Sequence, residues 1–455
     1  MEINPQIFRE YDIRGIAGED LTEDVVERIG QAFVVYLWGK KKHHTLCVGR
    51  DGRLSSKAFA RAVIDGIVSS GINVIDLGEV PTPLLYYSLF TLPVDGGIMI
   101  TGSHNPKEYN GMKVAVGNAT IHGAEIQKLG WIAMGDKRRI TREPVTITRM
   151  DLVPGYMNYV VAAIHLKRKL KVVLDAGNGV GGRVAVPIFE RLGCEVIPLY
   201  CDVDGNFPNH HPDPTLPAGL KKLIATVKHT KADLGLAFDG DADRLGAVDE
   251  KGEILWGDKL LLLFARSVLK ERPGATIIGE VKCSRTLYDD IAKHGGKPIM
   301  WKTGHSLIKA AMKEFHAQLA GEMSGHIFFK HRWYGFDDAI YAGARLLEFL
   351  AAGKKTLHEH LADVPKTFVT EEVRIKTDES RKFQIVAEAT RYFQKDLGLD
   401  VNTIDGARIE FPDGWGLLRA SNTSPMLVMR CEAATRKRLN EIRALVENKI
   451  QELNR

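Results

Sequence analysis

The chain has 455 residues, 44% of them apolar and 26% charged, with a formal net charge of +5. The length allows about three or four domains with sizeable cores, and the composition is that of an ordinary soluble globular protein. No basic tract dominates, which argues against a dedicated nucleic-acid binder, and the small positive balance suits acidic small-molecule ligands.

The opening stretch "MEINPQIFREYDIRG" has no apolar signal core. "WGKKKHHT" (38–45) reads as a solvated helix end, and "LLLLFA" (260–265) is far too short to span a bilayer. These features predict a cytoplasmic protein with no membrane partner, in which the Asn118-Ala119-Thr120 sequon is a chance match. Five cysteines (47, 194, 201, 283, 431) form no close pair, as expected of reduced thiols.

One plan recurs three times along the chain. "HTLCVGRDGR" (44–53), "LKVVLDAGNG" (170–179) and "ATIIGEVKCS" (275–284) are each a β-branched run ending in a polar or glycine-rich loop. A helix-length segment follows each, then a strand opened by glycine: "GINVIDLG" (71–78), "GCEVIPLY" (193–200) and "GGKPIMWK" (295–302). A third apolar run completes each copy: "GGIMI" (96–100), "ADLGLAF" (232–238) and "AQLAGE" (317–322). Strands alternating with helices predict α/β domains with parallel or mixed sheets. From about Pro365 the pattern changes to a separate α+β domain with an antiparallel sheet, ending in a helix. The expected division is 1–150, 151–252, 253–364 and 365–455.

Ligands of open α/β sheets sit beyond the carboxyl ends of the strands, so the loop after each third strand is informative. In the first copy it is "TGSHNP", where Ser103 is either a turn-capping serine or an exposed nucleophile. In the second it is "DGDADR", with Asp239, Asp241 and Asp243 at alternate positions. Three carboxylates so spaced suit a hard divalent cation, magnesium rather than calcium. A calcium EF-hand is disfavoured, because Arg244 stands where its glycine belongs and strands rather than helices flank the loop. In the third copy it is "GEMSGH", where Glu322 and Ser324 share one side of an extended segment and suit adjacent sugar hydroxyls. His305 and His326 are either surface residues or site residues.

Two further motifs carry chemistry. "RASNTSP" (419–425) offers Arg419, Ser421, Asn422 and Thr423 as a phosphate cradle, or as an ordinary polar hairpin. "DAGNGVGG" (175–182) places Gly177, Gly179 and Gly182 in a G-x-G-x-x-G pattern between a strand and a helix, with Asp202 after the next strand. That is a dinucleotide fingerprint. It keeps a nucleotide-dependent oxidoreductase open as a rival, beside a metal-dependent phosphatase or hydrolase using Ser103.

Taken in order, "FREYDIRG", "TGSHNP", "GMKV", "DGDADR", "VKCS", "KTGH", "GEMSGH" and "RASNTSP" resemble the α-D-phosphohexomutase family, within it the bacterial phosphomannomutase/phosphoglucomutase branch, over nearly the whole chain. The resemblance implies four domains around a central cleft and interconversion of hexose 1- and 6-phosphates of mannose or glucose. It implies a phosphoserine at Ser103, one magnesium ion held by Ser103, Asp239, Asp241 and Asp243, and glucose or mannose 1,6-bisphosphate as activator. His326 is the preferred acid/base and Lys113 its competitor, with Arg244 adding positive charge. Tyr11, Arg14, Lys282 and His305 line the cleft, Glu322 and Ser324 read the hydroxyls at carbons 3 and 4, and Arg419, Ser421, Asn422 and Thr423 hold the non-reacting phosphate. A monomer is expected. Phosphoglucosamine mutase is the nearest alternative, disfavoured by Met323, where glucosamine-specific relatives usually carry Gln.

Overall fold

In a computed structural model, residues 3–38, 45–136, 140–141, 144–421 and 425–454 are described. The helix Glu23–Trp38 reaches the edge of the lysine-rich run, most of which lies outside the described residues, as do Asn422 and Thr423.

Each predicted repeat forms a sheet. The first has the order Ile13–Ile16, Tyr109–Val116, Gly96–Ile100, Thr45–Arg50, Asn73–Glu79, Ile147–Arg149. Its centre is parallel, and Tyr109–Val116 returns antiparallel to Gly96–Ile100. The second sheet repeats this plan, with Lys171–Asp175 parallel to both Glu195–Leu199 and Leu234–Phe238, and Leu245–Asp249 returning antiparallel. The third does the same with Thr276–Glu280, Lys297–Trp301, Leu319–Gly321 and Ile327–Phe329. In all three, the loop between the third strand and its antiparallel return carries one of the motifs singled out above. The short strand Ile254–Leu255 pairs with Leu245–Asp249, so the second sheet runs past the boundary expected at residue 252.

The fourth unit is an antiparallel sheet backed by the helices Lys382–Arg391 and Arg436–Leu453. The last helix buries Leu439, Ile442, Val446 and Ile450 at the three- and four-residue spacing of one face.

One apolar core runs through the first three units, from Leu84 and Leu85 through Leu174 and Phe189 to Leu261 and Leu347. The fourth unit has its own core and meets the third through a smaller cluster of Val281, Trp415 and Leu417. There the fully buried Arg408 donates to the carbonyls of Val281 and Cys283 at 2.5 and 2.8 Å. Its guanidinium lies 4.0 Å from the Trp415 ring centroid. No described helix is long and apolar enough to cross a membrane. All five cysteines are unpaired; burial pushes Cys47 up to about 11 and Cys194, Cys201 and Cys431 up to about 12.

Candidate active site

The loop after Gly96–Ile100 turns sharply. Ser103 sits at φ 48°, a left-handed conformation that costs a non-glycine residue about 1 kcal/mol or more. Arg53 holds it there, donating to the carbonyls of Ser103 and Asn105 (2.7 and 2.6 Å) and of Pro106 and Tyr109 (2.7 and 3.0 Å). Its Nε faces Asp51 at 3.2 Å, and Asp51 in turn accepts the Gly102 N–H. Ser103 Oγ then donates to Asp239 Oδ2 at 2.8 Å and lies 3.1 Å from His104 Nδ1.

The second loop crosses against the first. A Cβ on Gly240 would meet the Ser103 carbonyl oxygen at 2.6 Å, so only glycine permits this approach. Asp239, Asp241 and Asp243 are fully buried, and one oxygen from each lies within 4.8 Å of the others. Asp241 Oδ2 accepts from Thr82 Oγ1 (2.6 Å), Thr101 Oγ1 (3.1 Å) and Lys113 Nζ (2.8 Å). Lys113 also bonds Asp243. Burial and the neighbouring Asp241 and Asp243 push the Asp239 carboxyl well above the usual range. Against the same burial, Lys113 and His326 hold Asp243 well below it.

The third loop closes the group. The Leu245 N–H donates to the Gly325 carbonyl, and His326 Nδ1 donates to Glu322 Oε2 at 2.9 Å. The exchanging nitrogen is therefore Nε2, which lies 2.9 Å from Arg244 Nε and 3.2 Å from Asp243 Oδ1. A neutral ring accepts from Arg244, and a protonated ring donates to Asp243. Burial disfavours the charged ring, but Asp243, opposed by Arg244 and joined by Glu322, raises His326 to about 9. Lys113 is lifted, against its burial, by Asp241 and Asp243.

The remaining wall spans three units. Tyr11 Oη donates to the Thr303 carbonyl (2.8 Å), and the Thr303 N–H donates to Asp405 Oδ2 (3.0 Å). Asp405 holds Arg419 through Nε and Nη2 at 3.1 and 3.3 Å. Lys282 lies 3.4 Å from Glu372, and Arg14 reaches Asn105 Oδ1 at 3.1 Å. Glu322 Oε1 accepts the Gly304 N–H at 2.6 Å, and Ser324 is half-buried beside it.

Known proteins resemble this chain over nearly its whole length. Residues 5–132, 154–252 and 256–368 match the alpha/beta/alpha domains I, II and III of phosphoglucomutase/phosphomannomutase, and residues 372–449 match its C-terminal domain. The chain belongs to the phosphoglucomutase/phosphomannomutase family. It is 47% identical over 450 residues to a phosphomannomutase/phosphoglucomutase of Pseudomonas aeruginosa, covering 98% of this chain and 95% of the relative. It is also 47% identical over 447 residues to a phosphoglucomutase of Neisseria meningitidis, covering 97% of each. A crystal structure of a phosphoglucomutase/phosphomannomutase family protein from Burkholderia thailandensis superposes with a TM-score of 0.92 at 43% identity, over 99% of this chain and 98% of that one.

In this chain the glycine-rich loop is filled by protein. A Cβ on Gly179 would meet the Gly240 carbonyl oxygen at 2.6 Å, and one on Gly182 the Cys201 Cα at 2.7 Å. Asp202 lies past its strand, where its carbonyl accepts from Asn178. The glycines thus let the 175–182 loop pack on the metal-type loop, where a nucleotide would need open space. His305 and His326 are 6% and 4% exposed, which overturns the surface alternative for both.

The site also contains residues that motif reading passed over: Asp51, Arg53, Thr82, His104, Asp213, Lys309, Asp337 and Asp405. Burial, with Arg244 and Arg14 nearby, pushes His104 well down, so it faces Ser103 as a neutral ring. Asp213 helps hold Arg244 charged against its burial. A signal existed for Arg53, which closes the polar loop just past the carboxyl end of the strand Thr45–Arg50.

Proposed function

We infer that this chain is a phosphohexomutase that interconverts hexose 1-phosphates and 6-phosphates, of mannose and of glucose, through a phosphoserine at Ser103 and a bisphosphorylated sugar. The observation that carries the reading is Ser103 Oγ bonded to Asp239 of a buried carboxylate trio, with Lys113, Arg244 and His326 around it. Phosphoryl transfer needs positioned charge more than covalent chemistry.

The trio fits a metal on its own evidence. Asp241 Oδ1 is buried without a hydrogen-bond partner among the described residues, and an all-oxygen set suits a hard cation. We propose one magnesium ion held by Asp239, Asp241, Asp243 and a phosphoserine oxygen; when bound, such an ion offsets charge on the phosphorus under attack.

The chain's own residues do the rest. The bond from phosphorus to Ser103 Oγ breaks as one to a sugar hydroxyl oxygen forms, and His326 Nε2 takes the hydroxyl proton. The second transfer reverses these movements at the other end of the sugar. Lys113 and Arg244 neutralise the transferring group. Glu322 and Ser324 receive the hydroxyls at carbons 3 and 4, and Tyr11, Arg14, Lys282 and His305 line the approach. Arg419 and Ser421 grip the phosphate that is not reacting, with Asn422 and Thr423 assigned to the same grip from sequence. Glucose or mannose 1,6-bisphosphate primes Ser103, and the chain acts as a monomer of four units, taken as 1–150, 151–252, 253–364 and 365–455.

The test is a coupled assay from glucose 1-phosphate and mannose 1-phosphate with added bisphosphate and magnesium. Turnover that rises with added bisphosphate supports the reading, and nicotinamide-dependent chemistry without mutase turnover overturns it.

A further inference from the structure

Behind the cleft lies a buried group that the proposed chemistry leaves unused. Lys309 Nζ donates to Asp337 Oδ1 at 2.9 Å, lies 3.2 Å from His305 Nδ1, and rests 4.1 Å from the centroid of the Tyr86 ring. Asp337 is fully buried, and its Oδ2 has no hydrogen-bond partner among the described residues. That oxygen is 3.6 Å from the same His305 Nδ1, beyond hydrogen-bond range. Two groups thus compete for one nitrogen. An ammonium has only protons to give, whereas a carboxylate has only lone pairs. The nearer of the two, Lys309, requires Nδ1 to be unprotonated, and the Ser306 hydroxyl, 3.5 Å away, can add to the same side. The proton of the neutral ring is then on Nε2. The ring packs edge-on against Tyr11 and His326, in the wall assigned to the sugar phosphate.

We propose that Lys309, anchored by Asp337, fixes His305 as the Nε2–H tautomer and so makes it a hydrogen-bond donor to the anionic substrate. Lys309 and Asp337 are positioning residues, and the donor role rests on the phosphohexomutase reading. Burial, with Lys309 and Lys113 nearby, pushes His305 well down, which agrees with a neutral ring.

The test is nitrogen NMR of full-length protein labelled at histidine, with His305→Gln assigning the resonance by its loss. The wild type is expected to show a protonated Nε2 and a bare Nδ1. Lys309→Met is expected to move the proton to Nδ1, toward the free Asp337 oxygen, and Lys309→Arg to leave it on Nε2. In the coupled assay, Lys309→Met should raise KM for the sugar phosphate about tenfold, the cost of one charge-assisted contact, with a smaller fall in kcat. A wild-type Nδ1–H tautomer, or an unchanged tautomer in Lys309→Met, overturns the proposal. A shifted tautomer with unmoved KM overturns the donor role. Should Lys309→Met not fold, the wild-type and Lys309→Arg spectra still decide the tautomer. The spectra are independent of turnover, so failure of the mutase reading would show separately.

Discussion

Ser103 Oγ lies 2.8 Å from Asp239 Oδ2, although 136 positions separate the two residues in the chain. The contact needs two sheets to present equivalent loops to each other, and it needs Gly240 where the loops cross. Replacing Ser103 by Ala removes the hydroxyl oxygen proposed to carry the phosphoryl group. Ser103→Ala is expected to lose mutase turnover while still binding sugar phosphate. Full activity in a coupled assay would remove Ser103 from the chemistry.

Arg53 makes four bonds to backbone carbonyls of the serine loop and faces Asp51. Arg53→Met leaves Asp51 as an uncompensated buried charge, a loss of about 3–5 kcal/mol. Arg53→Lys should not rescue it, because a point charge cannot reach several carbonyls as a planar fork does. Hydrogen exchange of residues 101–109 reports this, and unchanged protection in Arg53→Met would contradict the pinning.

Arg419 is held by Asp405 and is proposed to grip the distal phosphate. A charge-assisted contact is worth about 1.5–3 kcal/mol. Arg419→Ala should therefore raise KM and lower kcat, with kcat/KM falling about tenfold to a hundredfold. A change below about twofold in both constants would take Arg419 out of the clamp.

Asp338 caps the helix Ala339–Ala351, accepting from the Tyr341 N–H at 2.9 Å and from Tyr156 Oη at 2.9 and 3.0 Å. Burial raises it to about 7, although the Tyr341 and Tyr156 bonds oppose the rise. Its folded value lies above the unfolded one, so the folded state binds the proton more tightly. The contribution is fully present below about pH 4 and is lost as pH rises toward 7, by up to about 4 kcal/mol. Asn keeps the cap and cannot titrate. Denaturant unfolding should show Asp338→Asn gaining on the wild type between about pH 4 and 7, and a pH-independent difference would refute this.

Glucose and mannose differ only at carbon 2, and nothing assigned in "GEMSGH" reads that centre. Both 1-phosphates should therefore have comparable kcat/KM. A preference of about a thousandfold, or about 4 kcal/mol, would mean that some group does read carbon 2.

The three-fold repeat and its loops were legible because each loop follows a strand of strong period and carries polar residues with no packing role. What escaped were the residues whose partners are distant. Arg53 sits in an ordinary Gly-Arg loop until Ser103 folds over it. Asp337 stands in a run of aromatic residues, and Asp405 occupies a turn that gains meaning only from Arg419 and Thr303. The glycines at 177–182 misled in the opposite direction, because a pattern that admits a pyrophosphate admits a peptide loop equally well. The short strand Ile254–Leu255 gave no periodic signal.

The central claim is that Ser103 carries the phosphoryl group between turnovers. Mass spectrometry of the intact protein after incubation with glucose 1,6-bisphosphate and magnesium, followed by peptide mapping, tests it directly. One added phosphoryl group is expected on Ser103, lost when excess hexose 1-phosphate is supplied without bisphosphate. An active protein with no phosphate on Ser103 at any stage, or with the label on another residue, would contradict it.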